Sequence, residues 1–283
     1  MAICAMMCGF DTWSEITLFA QEREPWFRRW LSLPGGIPSH DTFNRIFATL
    51  PPASLKSIFQ AWIGDIMGDD KLVGQLAVDG KALRATAKGR GANAVHMVNV
   101  WSTELGMCVG QQKVADKSNE ITAIPELLQL LELKGCLVSI DAMGTQVKIA
   151  DTILKKSGDY LLAVKDNQPS LNTEVKEQFQ AYWDKNETDV SGPGFTEQFD
   201  SEHGRKEHRR CWVLMVDESM PVCQQWKAKT IMAVQAERIE NGKGYDFVRF
   251  YISSRALDAT SALKATRVHW SVENLLHWTL DIA

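Results

Sequence analysis

Residues 72–80, LVGQLAVDG, form an apolar run that stops at an acid followed by glycine. Its length and its Leu and Val content predict a buried strand. Two more runs of the same kind follow, AVHMVNVWS (94–102) and MCVGQQKV (107–114), joined by short turns. Three strands in succession predict an antiparallel meander. ITAIPELLQLLEL (121–133) then predicts a helix and CLVSIDA (136–142) a fourth strand. QVKIADTILKKSG (146–158) has the pattern of an amphipathic helix with Gly158 near its C-terminus. DYLLAVK (159–165) predicts a fifth strand and SLNTEVKEQFQAYW (170–183) a further helix. Strands and helices alternating in this way indicate an α/β fold.

Outward from this block the texture changes on both sides. Residues 1–70 read as helical: TWSEITLFAQEREPWFRRWLSL (12–33) places Trp13, Ile16, Phe19 and Ala20 at helical spacing. PGGIPSHD (34–41) is a loop, and Ser39 or Asp41 caps the next helix, DTFNRIFATL, which Pro51 and Pro52 stop. ASLKSIFQAWIGDIM (53–67) follows as another helix. Short helices joined by Pro/Gly turns suit a helix-turn-helix DNA reader, and equally a plain bundle. Residues 185–255 are polar, with strand candidates at CWVLMV, TIMAVQAER and FVRFYISS, and read as a β-rich insertion. Helix returns over 256–283, in ATSALKATRVHWSVENLLHWTL. The expected division is therefore 1–70, 71–184, 185–255 and 256–283.

The 283 residues are 45% hydrophobic and 23% charged, enough for one large core and a smaller attached region. No apolar run approaches bilayer length, and MAICAMMC lacks the basic start of a signal peptide, so no membrane association and a cytoplasmic protein are expected. Cys4, Cys8, Cys108, Cys136, Cys211 and Cys223 contain no C-x-x-C pair, which argues against zinc and for buried free thiols. The net charge of -4 is low for a protein of nucleic acids, but basic residues cluster in KALRATAKGRG (81–91) and HGRKEHRR (203–210).

Asp79 and Asp141 each close an apolar strand, in AVDGK and SIDAMGTQ. If the first strand lies beside the fourth, the two carboxylates converge. Glu273 lies in HWSVENLLHW, on one helical face with Trp270, Leu276 and His277. A helix packed on the sheet would bring it to both aspartates. Three such acids repel one another unless a cation neutralises them, and hard oxygen ligands select Mg²⁺ or Mn²⁺. Two such ions suit phosphoryl transfer. Each acid also has an ordinary explanation. Asp79-Gly80 is a hairpin dipeptide, Asp141 a possible helix cap, and Glu273 a solvated helical acid.

Taken together, several blocks resemble the H-repeat-associated proteins, insertion-sequence transposases of the DDE superfamily. They are LPGGIPSHDTFNRIFATL (33–50), LAVDGKALR (76–84), VSIDAMGTQ (138–146), YLLAVKDNQPSL (160–171), EHGRKEHRR (202–210), FYISS (250–254) and RVHWSVENLLHWTLDIA (267–283). The resemblance spans essentially the whole chain. It implies a ribonuclease-H-like mixed sheet flanked by helices, with a β-rich insertion before the last catalytic helix and a helical N-terminal region. It carries the family's three acidic ligands over to Asp79, Asp141 and Glu273. It also places Thr266 and His269 where the superfamily often has Tyr and Arg, so that Arg267 or His269 takes over a phosphate contact.

The activity so implied is Mg²⁺- or Mn²⁺-dependent cleavage and strand transfer at insertion-sequence ends. Double-stranded DNA, as element ends and target, would be the partner, held by a homodimer. Candidate DNA contacts are Lys81, Arg84, Lys165, Asn167, Arg205, Lys206, Arg209, Arg267 and His269. An ordinary turn at 165–167 and a solvated hairpin at 203–210 are the competing explanations. Members of this family extend further at both ends, which implies a truncated or decayed copy, or a fragment. The competing functional readings are an inactive remnant that only binds DNA, and an interaction protein whose three acids lie far apart.

Overall fold

A computed structural model of the protein describes residues 1–67, 72–83, 94–114, 120–185, 194–202, 205–240 and 243–272. The described chain divides into two compact units, with the boundary between Ile66 and Met67.

The first unit is helical: α1 (Ala2–Met7), α2 (Trp13–Glu22), α3 (Glu24–Phe27), α4 (His40–Thr49) and α5 (Pro52–Met67), which runs to its boundary. A capping box starts α2, with the Thr12 hydroxyl accepting from the Glu15 N–H and the Glu15 carboxylate accepting from Thr12. Ser39, of the two candidates, caps α4 by accepting from the Thr42 N–H. Asp41 sits in the first turn, where a carboxylate favours the helix dipole. The small core joins Ala2, Ala5, Ile16 and Phe43, against which Trp13, Phe19 and Phe47 pack. The Trp13 ring stacks on Phe43 at 6.5 Å.

The second unit is built on one sheet. Its strands are β1 (Gln75–Leu83), β2 (Val95–Ser102), β3 (Met107–Val114), β4 (Leu137–Ile140), β5 (Asp159–Val164), β6 (Phe195–Glu202), β7 (Arg205–Met215), β8 (Thr230–Glu240) and β9 (Lys243–Ser253). Its helices are α6 (Glu120–Gln129), α7 (Val147–Lys155), α8 (Pro169–Lys185), α9 (Pro221–Gln225) and α10 (Ala259–His269). The strand order is β3-β2-β1-β4-β5-β9-β8-β7-β6. The first three strands form the expected antiparallel meander, while β4 lies parallel to both β1 and β5. This 3-2-1-4-5 arrangement is the ribonuclease-H-like mixed sheet. It explains why β4, LVSI, is apolar throughout except for one serine: it is buried on both faces.

The β-rich segment does not fold apart from this sheet. Strand β9 pairs antiparallel with β5, and β8, β7 and β6 extend the sheet from there. Two features differ from expectation. FTEQFDSE forms an additional strand, β6, and the basic stretch at 205–210 is the first half of β7, paired antiparallel with β6 and bound by ion pairs instead of being simply solvated. Cross-strand polar side-chain pairs hold this ribbon where the apolar core runs out. Arg210 pairs with Glu237 at 2.9 Å and His208 with Glu197 at 2.8 Å.

Helices cover the sheet on two sides. On one side, residues of α6, α7 and α8 share the main core with Leu76, Val78, Val138, Ile140, Leu162 and Val164. On the other, α10 packs through Ala259, Ala262, Leu263 and Ala265 on Leu137, Leu161, Val213, Met232 and Tyr251. Cys136, Cys211 and Cys223 are buried free thiols, and burial pushes Cys136 up to about 11 and Cys211 to about 12. Cys8, by contrast with the expectation for cysteines in this chain, is exposed. Among the described residues no helix is long and apolar enough to cross a membrane.

Candidate active site

The pairing of β1 with β4 decides where the two aspartates go. Leu76 lies opposite Val138, Ala77 opposite Ser139, and Val78 opposite Ile140. The next residue on each chain is Asp79 and Asp141. Neighbouring strands run roughly 5 Å apart, so the two acids occupy adjacent positions. Side chains alternate across a sheet. Val78 and Ile140 point into the three-helix side, whereas Ala77 and Ser139 point to the α10 side, and Asp79 and Asp141 follow them there. Both are half-buried. The two strand ends that carry the acids therefore lie side by side.

Backbone N–H groups hold one oxygen of each carboxylate. Gly80 donates to Asp79 Oδ1 at 2.8 Å, and Gly144 to Asp141 Oδ1 at 3.1 Å. The turn after Asp141 is itself anchored: the Thr145 hydroxyl donates to the Ala163 carbonyl at 2.6 Å. Asn167 Nδ2 donates to the Ala142 carbonyl at 2.7 Å, so Asn167, though exposed, adjoins Asp141. Gly144 is required here, because a Cβ would stand 2.3 Å from Ile140 Cγ2 and 3.3 Å from Ile124 Cδ1. Gly144→Ala should cost about 1–3 kcal/mol, typical of overpacking. Urea unfolding at pH 7 checks this; an unchanged midpoint and slope would show that the turn adjusts freely.

A buried polar cluster ties β1, β4 and α10 together beneath the acids. Gln75 Nε2 donates to Ser139 Oγ and to the Ala265 carbonyl, each at 2.8 Å. His269 Nδ1 lies 3.0 Å from the same Ser139 Oγ. His269 is 7% exposed, and burial lowers its pKa to about 4, against the partly opposing charge of Asp141. It does not face solvent as a phosphate ligand would. Its place is internal, because only one turn of helix separates it from the chain over Ala77. Just beyond α10, Val272 is 1% exposed and packs on Ala77 and Trp101. Glu273, the third acid, lies outside the described residues, as does Arg84.

The remaining candidates are scattered. Lys81 follows Asp79 by two residues on β1 and so shares its face. Lys165 is exposed at the end of β5, where the register with β9 brings it alongside Arg249. Lys206 is exposed on β7, whose even-numbered Trp212 belongs to the opposite, three-helix side. The backbone of Arg205 begins β7, and its side chain lies outside the description. Arg209 and Arg267 do come together, on Asp200. Arg209 pairs with Asp200 and with Glu207 at 2.6 Å, and Arg267 reaches Asp200 at 3.2 Å. A phosphate binding there has to compete with these carboxylates.

Two features had no mark in the sequence. Arg249 lies over Phe247 at 4.6 Å and over the exposed Trp270 at 5.1 Å. Glu120, 8% exposed, lies against Gly80, where an added Cβ would come within 2.3 Å of its carboxylate. An acid opening a helix looks like ordinary helix-dipole chemistry, so nothing separated Glu120 from other helical acids.

All the oxygen donors here are hard ligands, which fits Mg²⁺ or Mn²⁺ better than zinc. Among the described residues no group of three or more His, Cys, Asp and Glu suits a metal, and the acid pair stands as two. The sheet thus carries acids at the ends of its first and fourth strands, with α10 packed on the same side. Comparison with known proteins makes this specific. Residues 74–282 match the family described as "Transposase DDE domain", and residues 1–63 match "DDE_Tnp_1-associated". The chain belongs to the Transposase DDE domain family. It is 39% identical over 292 residues to the H repeat-associated putative transposase YhhI of Escherichia coli K12, covering 100% of this chain and 75% of that protein. It is also 39% identical over 290 residues to the putative transposase YncI of Escherichia coli O157:H7, covering 100% and 73%. An uncharacterized protein in the dhlA 3′ region of Xanthobacter autotrophicus is 36% identical over 91% of this chain and 86% of its own length. Among solved structures, a piggyBac transposase synaptic complex with hairpin DNA aligns at a TM-score of 0.40 and 10% identity. That alignment covers 93% of this chain and 57% of the other.

Proposed function

We propose that this chain cleaves DNA strands at the ends of an insertion sequence and joins the freed 3′-hydroxyl to target DNA, using Mg²⁺ or Mn²⁺. The observation that carries this reading is the acid pair, Asp79 and Asp141, at adjacent positions on one sheet face beneath the chain that leads to Glu273. These three acids are assigned as the metal ligands. Divalent ions, when bound, activate the attacking oxygen and stabilise the leaving one. The protein's own part is to fix the carboxylates. Gly80 and Gly144 each hold one oxygen and so set its plane.

Residues 1–70 are assigned as a DNA-binding helical region and 71–184 with 256–283 as the catalytic core, with 185–255 widening its sheet. Lys81, Arg84, Lys165 and Asn167 would meet phosphates beside the acids. Arg205, Lys206, Arg209 and Arg267 would meet them farther out, with Asp200 and Glu207 setting how readily the last two are released. His269 is assigned to positioning rather than to DNA. Capturing two element ends at once calls for two chains, hence a homodimer on DNA.

The deciding experiment incubates the protein with DNA carrying the parent element's ends, with Mg²⁺, Mn²⁺ or chelator. Metal-dependent nicks at the ends, followed by joined products, are expected. DNA binding without any cleavage would overturn the catalytic reading in favour of a protein that only binds DNA.

A further inference from the structure

Asn99 stands opposite Asp79 in the antiparallel pairing of β1 with β2. Directly opposed residues share a face, with Cβ atoms about 5 Å apart. Asn99 is thus the lateral neighbour of Asp79 on the side away from Asp141, and it is fully buried, at 0% exposure. A buried amide normally satisfies all its hydrogen-bonding groups. This one satisfies half. Gln111 Nε2, from the next strand, β3, donates to Asn99 Oδ1 at 2.8 Å, while Asn99 Nδ2 has no hydrogen-bond partner among the described residues.

The two halves of the amide are linked by geometry. The oxygen is taken by Gln111 on the β3 side, which leaves the NH₂ as the half of the amide available to Asp79, its opposite number on β1. Leaving such a donor unpaired opposes folding. That cost persists where the group serves a state other than the one seen. A metal-bound carboxylate is such a state, since ligating carboxylates are characteristically hydrogen-bonded from behind.

We propose that Asn99 is a positioning residue of the acid site, its N–H holding the Asp79 carboxylate in the orientation that takes the metal, with Gln111 setting which end of the amide faces Asp79. The inference rests on the reading of Asp79 and Asp141 as metal ligands. It concerns the protein's affinity for the ion, so DNA is not needed to test it.

The test titrates Mn²⁺ into the full chain without DNA, following free Mn²⁺ by electron paramagnetic resonance. Asn99→Leu keeps the size and removes the donor. It should weaken Mn²⁺ binding about 10- to 100-fold, the usual effect of losing a partner behind a metal ligand, with thermal stability unchanged or raised because an unpaired buried N–H is gone. Gln111→Glu separates orientation from packing. The introduced carboxylate accepts from Nδ2, so the amide turns over and presents its oxygen to Asp79. Affinity should fall by a similar factor, although Asn99 is intact. Asp141→Asn identifies the site being read. If wild type binds Mn²⁺ in an Asp141-dependent way and both Asn99→Leu and Gln111→Glu bind it equally well, the proposal fails and the acid-site reading stands. If wild type shows no Asp141-dependent Mn²⁺ binding, both fail.

Discussion

Asp141→Asn is expected to lower metal-dependent cleavage at element ends by about 10³-fold or more, with folding and DNA binding retained. The substitution is nearly isosteric, and its amide oxygen can still accept from the Gly144 N–H that now meets Asp141 Oδ1 at 3.1 Å. The turn that Thr145 anchors to Ala163 therefore has no reason to move. What changes is charge. One of the two described carboxylates on the face becomes neutral, and the site loses electrostatic stabilisation of a kind whose removal costs about 10²–10³ even for a single hydrogen-bond donor. Single-turnover cleavage and a gel-shift titration, run on the same preparations, separate the two effects. Full cleavage by Asp141→Asn would remove Asp141 from the mechanism. A parallel loss of DNA binding would mean that the acid shapes the DNA surface instead.

The acids were legible because a carboxylate at the end of an apolar strand is conspicuous. Residues 72–80 and 136–142 also carry enough Val, Leu and Ile to read as strands unaided. Their adjacency was not legible in the same way, since nothing within either run says which strand it pairs with. Partner choice is written in packing, here in the core shared by Val78, Ile140 and the α6 and α7 helices. The supporting residues are harder still. Gln75, Ser139 and Ala265 meet across 64 and 190 positions of chain, and a lone polar residue in a strand gives no sign of such a partner. Asn99 is the same case: NVW reads as ordinary strand.

Strand β6 and the first half of β7 failed to show for another reason, although the rest of the ribbon read as strand. Hydrophobic periodicity reports burial. Beyond Cys211 and Val234 the strands leave the core, and alternation gives way to paired charges such as Arg209 with Asp200 and Arg210 with Glu237. HGRKEHRR read as a cluster of basic residues because Glu207 is the one acid within it, while the other carboxylate partners, Asp200 and Glu237, lie on β6 and β8. These pairs cancel one for one and leave the net charge at -4, whereas a cation bound by the site acids would offset part of it.

His269 should give the protein a loss of stability on acidification that a non-titrating side chain lacks. Ser139 Oγ accepts from Gln75, and its proton has two places to go: His269 Nδ1 at 3.0 Å or the Leu76 carbonyl at 3.5 Å. The shorter route makes Nδ1 an acceptor, which only the neutral ring can be. Burial is the largest influence and outweighs the attraction of Asp141 and a contact with the Ser139 backbone, both of which pull the other way, leaving the folded pKa at about 4 against the ordinary 6.5. Between those values the unfolded chain takes up a proton that the folded chain refuses. Stability is therefore fully present above about pH 6.5 and falls as the pH drops toward 4, by about 3 kcal/mol in total. In His269→Gln that contribution vanishes while a hydrogen bond to Ser139 remains possible. The variant should be the less stable protein at pH 7, by about 1 kcal/mol for imperfect packing, and the more stable one near pH 4. Urea unfolding of both proteins from pH 4 to 8 reads the crossing directly. Curves that stay parallel would mean that the His269 pKa is the same in the folded and unfolded chain, and a wild-type advantage that grows on acidification would mean that the ring is protonated in the fold, with Nδ1 donating to Ser139 and Asp141 its counter-charge. Adding Asp141→Asn discriminates further: removing that attraction should lower the His269 pKa and widen the window in which the wild-type histidine costs stability. α10 is thus held to β4 by a ring that burial keeps neutral against the attraction of the same carboxylate assigned to the metal.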